Sequence, residues 1–261
     1  MFATIEDGYV IIYHADDKTE VVKLNTYSLN AVWLAWSPDS AYIASVSYEE
    51  IQNLQVWDAT SYEPLMVASL GQIFQATWSP DSQGIAYVDL NSNGFYTFEL
   101  KAAIVEAIAE GQDTVHSLSK SQVYNPLASD NSDNISTSIA WSQTGTWIGL
   151  GDYRGNITLF NTETRTFDRE FQSHSEAITS LDFSPDGKYL ASAGQDGFVR
   201  IWDISDGKLL SEYPKGNIFT RQIDFSPDGT MLAFGVEADS TKSTQLTSGV
   251  QIVTLAEEVA P

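Results

Sequence analysis

Residues 174–203 read HSEAITSLDFSPDGKYLASAGQDGFVRIWD, and the alternation inside this stretch decides the class of fold. Ile178-Thr179-Ser180-Leu181-Asp182-Phe183 alternates apolar and polar side chains and ends at Ser184-Pro185-Asp186-Gly187. That tetrapeptide has turn chemistry: proline presets φ at the first central position, aspartate favours the turn, and glycine tolerates the backbone that follows. A second alternating run, Tyr189 to Ala193, leads to Gln195-Asp196-Gly197, and a third runs from Phe198 to Trp202. Beyond them Lys208-Leu209-Leu210-Ser211-Glu212-Tyr213 makes a fourth. Period-two runs of this length, separated by turn residues, predict a four-stranded antiparallel meander. The long helical periodicity of an α-solenoid is missing.

The unit repeats. Serine-led turns recur at Ser37-Pro38-Asp39-Ser40, Ser79-Pro80-Asp81-Ser82, Ser184-Pro185-Asp186-Gly187 and Ser226-Pro227-Asp228-Gly229, with a degenerate copy at Ser142-Gln143-Thr144-Gly145. Successive turns start 42, 63, 42 and 42 residues apart, so the longer step is one period with a 21-residue insert. A fixed period of this size is the mark of a repeat architecture.

On these residues the chain resembles the WD40 family. The segment from His174 through Ser184-Pro185-Asp186-Gly187 and Gln195-Asp196-Gly197 to Ile201-Trp202-Asp203 is similar to a nearly complete WD40 repeat, with Ser173-His174 in place of the usual Gly-His pair. The resemblance implies an all-β fold, a β-propeller of four-stranded antiparallel blades. It also implies a hydrogen-bonded structural tetrad at His174, Ser192, Asp196 and Trp202. Such a network satisfies its own polar groups, the indole N–H donating into the set. Elsewhere the apolar frame persists and the network does not. Val56-Trp57-Asp58 keeps the Trp-Asp ending with Glu49 at the aspartate position, Phe98 and Phe160 stand in for Trp202, and Arg154 replaces the aspartate of the fourth repeat.

The register predicts about six blades with incomplete terminal ones: a partial blade at 1–25, blades at 31–70, 73–108, 135–171 and 177–213, and a partial blade at 219–254. The first would lack its innermost strand and the last its outermost. A closed six-bladed ring needs about 24 strands and a seven-bladed one about 28, against the 22 expected here. The expectation is a fragment of a longer protein, or a ring that closes imperfectly. A loop insert at 111–134 and a second insertion around Glu237 to Ser248 are rich in Ser, Asp, Asn, Thr and Gln, and read as polar surface loops.

The resemblance implies protein or peptide partners. In the family, the loops after the second and fourth strands share a partner-binding face, which here would carry Glu6, Tyr48, Glu49, Tyr153, Arg154 and Gln195. Tyrosine and arginine are favoured in binding hot spots. The net charge of −22, from 35 acidic and 13 basic side chains, repels phosphate backbones and favours basic partners, so nucleic acid is not expected. Trp36, Trp78 and Trp141 precede their turns where Phe183 and Phe225 do, and read as core residues.

Chemical motifs mostly fail. Asp89-Leu90-Asn91-Ser92-Asn93-Gly94 resembles the start of a calcium loop, making Asp89, Asn91 and Asn93 weak metal candidates. Leu100 stands where the closing carboxylate belongs, so a β-turn is the better reading. Gly149-Leu150-Gly151 misses the dinucleotide spacing, there is no nucleophile elbow, and His14 and His116 lie in no catalytic or metal spacing. No enzyme, cofactor or catalytic residue is expected. With no cysteine there is no disulfide or thiolate chemistry. The absence of a basic, then apolar, N-terminal segment or a spanning apolar run predicts a cytoplasmic protein without membrane attachment. The leading expectation is a protein-interaction scaffold within a larger multidomain protein. Alternatives are a non-catalytic propeller of a TolB-like or peptidase-associated protein, and a calcium-stabilised propeller.

Overall fold

Each serine-led turn is built by its own side chains. Ser37 Oγ donates to Asp39 Oδ1 at 2.7 Å and accepts from the Tyr42 amide at 2.9 Å. The same pair of bonds ties Ser184 to Asp186 and Tyr189, and Ser226 to Asp228 and Met231. The fourth turn residue lies in the left-handed region in every copy, with φ of 60° at Ser40, 58° at Ser82, 81° at Gly145, 71° at Gly187 and 70° at Gly229. That explains glycine at three of the five positions.

The structure, a computed structural model, describes residues 1–26, 31–49, 52–89, 95–100, 102–104, 122–124, 135–215, 220, 222–237 and 248–255. It is nearly all β, with six antiparallel sheets of three or four strands in the blade pattern of a β-propeller. The chain divides into two units, Met1–Tyr124 and Asn125–Pro261. In the first unit, β1 (Phe2–Glu6), β2 (Tyr9–Tyr13) and β3 (Glu20–Asn25) form the first sheet. The second comprises β4 (Ala31–Trp36), β5 (Tyr42–Ser47), β6 (Leu54–Asp58) and β7 (Pro64–Ala68). The third comprises β8 (Ile73–Trp78), β9 (Gly84–Asp89), β10 (Phe95–Glu99) and β11 (Gln122–Tyr124).

In the second unit, β12 (Ser136–Trp141), β13 (Trp147–Asp152), β14 (Asn156–Asn161) and β15 (Thr166–Gln172) make the fourth sheet. The fifth contains β16 (Ile178–Phe183), β17 (Tyr189–Gly194), β18 (Phe198–Asp203) and β19 (Lys208–Pro214). The sixth contains β20 (Ile223–Phe225), β21 (Met231–Glu237) and β22 (Ser248–Thr254).

One strand falls where the sequence placed a loop. The third blade, expected to finish within 73–108, has residues 102–104 in helix, and its fourth strand is Gln122–Tyr124, inside the expected insert 111–134. The local reason is propensity: Ala102 and Ala103 favour helix, whereas Val123 and Tyr124 suit a ladder. The rest of that insert, and residues 238–247 of the second insertion, lie outside the described residues.

Bulges identify the strands of the short sheets. In all four complete sheets the first ladder slips near its start, between Ala31/Trp33, Ile73/Gln75, Ser136/Ser138 and Ile178/Ser180. The last ladder slips in three of them, between Val56/Trp57, Leu159/Phe160 and Ile201/Trp202. In the first sheet β1 and β2 pair without a slip, and the slip comes between Ile12 and Tyr13 against β3. These are therefore second, third and fourth strands. In the sixth sheet β21 and β22 pair without a slip over seven residues, as second and third strands do in every complete sheet.

Neighbouring sheets within a unit pack face to face through apolar side chains. Ile157 and Leu159 of the fourth sheet meet Ile178, Leu181, Phe183 and Leu190 of the fifth. Val199 and Ile201 of the fifth meet Ile223, Leu232 and Phe234 of the sixth. In the first unit Val10 and Ile12 pack against Ile43 and Trp57, and Leu54 and Val56 against Ile73, Trp78 and Ile85. Of the tryptophans before the turns, Trp78 is buried, while Trp36 and Trp141 are half-buried.

β20 is also joined to β16 by polar contacts. The Ile223 amide donates to Ser180 Oγ at 3.1 Å and the Phe225 amide to Asp182 Oδ2 at 2.7 Å. Burial pushes the Asp182 carboxyl up to about 8; the Phe225 amide opposes the rise and the charge of Asp224 adds to it. Because this folded pKa exceeds the unfolded value, the stabilisation is complete below about pH 4 and is lost as pH rises through about 8. Asp182→Asn keeps the acceptor without the charge. It should melt close to the wild type near pH 4.5 and clearly above it at pH 9, in thermal scans followed by circular dichroism. Equal melting temperatures at pH 9 would contradict a raised Asp182 pKa.

Candidate functional site

Two strands, the turn between them and one connection bring the tetrad together. Ser192 lies on β17, Trp202 on β18, Asp196 in the turn between them, and His174 in the connection from β15 to β16. His174 Nε2 stands 2.7 Å from Ser192 Oγ, which accepts from Trp202 Nε1 at 2.8 Å. Asp196 Oδ1, a carboxylate oxygen that only accepts, faces Nδ1, which places the ring hydrogen there and leaves Nε2 to accept from the Ser192 hydroxyl. Nδ1 then carries the ring hydrogen and donates to Asp196 Oδ1 at 2.8 Å. Burial holds the His174 pKa below the ordinary histidine range; Asp196 pulls it up, and the charges of Arg200 and Lys215 push it down. The neutral ring suits this tautomer.

Two contributors escaped sequence reasoning. Arg200 donates from Nη1 to Asp196 Oδ2 at 2.7 Å and to the Ser173 carbonyl at 3.1 Å, and from Nε to Glu212 Oε2 at 2.7 Å. The same Nη1 stands 2.6 Å from His174 Nδ1, so the guanidinium closes the network over the histidine–aspartate pair. Its only sequence signal was its position two residues before Trp202, on the same side of the strand. Gly194 makes room for the histidine: a Cβ there would stand 2.2 Å from His174 Nδ1 and 2.7 Å from Asp196 Oδ1.

The expected rim residues occupy equivalent turns in the two units. Glu6 ends β1, Tyr48 and Glu49 follow β5, Tyr153 and Arg154 follow β13, and Gln195 follows β17. Tyr153 is 63% exposed and Tyr48 43%, while Glu6, Arg154 and Gln195 are exposed and Glu49 is half-buried. Asp152, absent from the sequence expectations, frames the fourth-sheet turn: its Oδ1 accepts from the Arg154 and Asn156 amides, both at 2.8 Å. Gly155, at φ 85°, approaches the next connection so closely that a Cβ would lie 2.2 Å from the His174 carbonyl. Gln172 Nε2 bridges the carbonyls of Arg154 (3.0 Å) and His174 (2.6 Å). The turn that displays Tyr153 and Arg154 is thus tied to the connection bearing the tetrad histidine.

Of the weak metal candidates, Asp89 is the buried last residue of β9, and Asn91 and Asn93 lie outside the described residues. Among the described residues no three His, Cys, Asp or Glu side chains gather as a metal site would need. His14 sits exposed in the β2–β3 turn, and His116 is outside the described residues. Among the described residues no helix is long and apolar enough to cross a membrane.

The network makes an energetic prediction. Trp202→Phe removes one donor and should cost about 1 kcal/mol in urea unfolding. His174→Phe leaves Ser192 and Asp196 short of partners and should cost about 2–4 kcal/mol. The His174 pKa is depressed on folding, so this contribution is present above about pH 6.5 and is lost as pH falls below it. His174→Phe should lack that acid limb, and a Trp202→Phe chain as stable as the wild type would refute the energetic role.

Residues 165–203 match the family described as "WD domain, G-beta repeat". The chain is similar to actin-interacting protein 1 of Drosophila melanogaster, 26% identical over 184 residues, covering 68% of this chain and 27% of that protein. It is similar to periodic tryptophan protein 2 of Saccharomyces cerevisiae, 28% identical over 81 residues, covering 31% of this chain and 9% of the relative. It is also similar to human WD repeat-containing protein 36, 40% identical over 63 residues, covering 24% of this chain and 7% of that one. The chain spans under a third of the length of each of these relatives. The matched repeat contains three strands of the fifth sheet and the hydrogen-bonded His174, Ser192, Asp196 and Trp202. The matched repeat, the WD-repeat relatives and the six antiparallel sheets of the described residues together support a WD40-repeat family for this chain.

Proposed function

We propose that this chain is a non-catalytic scaffold that binds proteins or peptides, in the setting of a larger multidomain protein. The observation that carries the reading is the turn bearing Tyr153 and Arg154. It exposes an aromatic and a guanidinium side chain, the types enriched in hot spots, on a backbone held by Asp152, Gly155 and Gln172. An anchor that is already rigid loses little entropy on binding. In the first unit the turn after β5 offers Tyr48 and Glu49, and Glu6 and Gln195 take equivalent places elsewhere. A relative named for interacting with actin supports a protein as the kind of partner.

The charge of −22 supports partners with basic surfaces, and disfavours nucleic acid by repelling its phosphates. Steering of this kind weakens with ionic strength, so association with basic partners should slow as salt is raised. A cytoplasmic location fits the cysteine-free sequence.

The test is a pull-down from cell lysate with immobilised wild type and with Tyr48→Ala/Tyr153→Ala/Arg154→Ala, both checked for equal melting temperature. The triple variant should lose specific partners, with affinity for any identified one reduced at least about tenfold, the effect of about 1.4 kcal/mol. Identical partner sets and affinities would remove these turns as the interface.

A further inference from the structure

The connection that carries His174 is bonded to the turn that displays Tyr153 and Arg154. The amides of Ser173 and His174 both donate to the Gly155 carbonyl at 2.9 Å, and Ser173 Oγ donates to it at 2.9 Å. Gln172 Nε2 adds the bridge between the carbonyls of Arg154 and His174. The backbone of the turn is therefore held by a segment whose own place depends on the His174 ring, a side chain with no exposure at all.

That ring sits where a second proton is costly. In the neutral form Nε2 accepts from Ser192 Oγ and Nδ1 donates to Asp196 Oδ1. A proton on Nε2 would make it a donor toward a hydroxyl that already receives the Trp202 indole, and the Ser192 proton would lose its acceptor. Burial is the main reason the ring stays neutral; Asp196 opposes it, and the charges of Arg200 and Lys215 add to it. Arg200 on β18 stands 2.6 Å from Nδ1, Lys215 lies in the connection after β19, and Glu212 on β19 pairs with the far side of Arg200. Two cations thus stand with two carboxylates, and a charged ring would unbalance them. The other charged residues of these segments are Glu176 of the connection and Asp152 and Arg154 of the braced turn.

The corresponding brace in the first unit has no ring to titrate. There the turn after β5, which displays Tyr48, is tied to the next connection by Asn53. Its Oδ1 accepts from the Leu70 amide at 2.9 Å and its Nδ2 donates to the Gly71 carbonyl. A carboxamide keeps its donors and acceptor across the histidine range.

We propose that acid releases the Tyr153–Arg154 turn: protonation drives the His174 ring from between Ser192 and Asp196, slackens the connection that braces the turn, and leaves the Tyr48 turn held. The switch rests on the reading of this turn as a docking surface and supplies its regulation.

The experiment follows backbone amide exchange and the His174 ring resonances by NMR in the full chain, from about pH 7.5 to about pH 5, with rates corrected for intrinsic exchange. This range spans histidine titration while ordinary carboxylates stay charged. The Ser173, His174 and Asn156 amides should lose protection at least tenfold as the ring protonates. The Leu70 amide, and the Ser184 amide that closes a serine turn of the same unit on the Tyr189 carbonyl, should keep theirs. Protection that persists through protonation overturns the proposal. So does a loss shared by Leu70 and Ser184, a loss while the ring is neutral, or a ring still neutral at about pH 5. The readout is the turn itself, so a pull-down unaffected by the triple variant would remove the docking reading and leave the acid response standing.

Discussion

An antiparallel sheet has two faces, and in five of the six described sheets the third strand carries a pair of large aliphatic side chains on one of them. Val10/Ile12, Leu54/Val56, Ile157/Leu159 and Val199/Ile201 reach zero exposure only through residues of the following sheet. Fully burying each such side chain contributes roughly 1.5–3 kcal/mol, a gain no isolated sheet can collect. The dependence of each sheet on its neighbour explains why the repeat must be repeated, and why the frame of apolar positions persists where the polar signature does not. The exposed Val250 and Ile252 break this rule within the described residues.

Loss of the polar network follows its own logic. The place of Ser192 in β17 is held by Ser45 in β5, Tyr87 in β9, Leu150 in β13 and Phe234 in β21, and the place of Trp202 by Trp57, Phe98, Phe160 and Val253. Serine and tryptophan occur together; where one is apolar or aromatic, the indole is gone as well. An indole N–H buried without its acceptor costs on the order of 1–3 kcal/mol, so the pair is abandoned together. Tyr87 and Phe98 instead meet as tilted rings, 6.4 Å between centroids. The full network at His174, Ser192, Asp196 and Trp202, closed by Arg200 and given space by Gly194, lies in the segment that matches the family model.

Much of the fold was legible because strand alternation and turn chemistry are local. The serine turns, the strands of the fifth sheet and the three-strand character of the first and last sheets could be read from one period carried along the chain. The fourth strand of the third sheet could not. Gln122–Tyr124 is three residues long and joins β10 across a connection of more than twenty, so its place is decided by which edge is open and not by its own pattern. At the candidate site the tetrad was legible through the family's motif. Arg200 was not, since an arginine on a strand reads as a solvated side chain until Asp196 and Glu212 are seen on either side of it.

The amino-acid order by itself determined the period of 42 residues, the alternation that makes strands, the turn residues that end them, and the acid charge that shapes what the chain can approach. These depend on neighbours two to five residues apart, within reach of local sterics and hydrogen bonds. Only the tertiary structure decided which apolar pairs are covered, which strand completes the third sheet, and which rim residues stand exposed on a braced turn. Those outcomes depend on contacts between residues tens of positions apart, and the same Val-x-Ile alternation that is buried in β18 is left in solvent in β22.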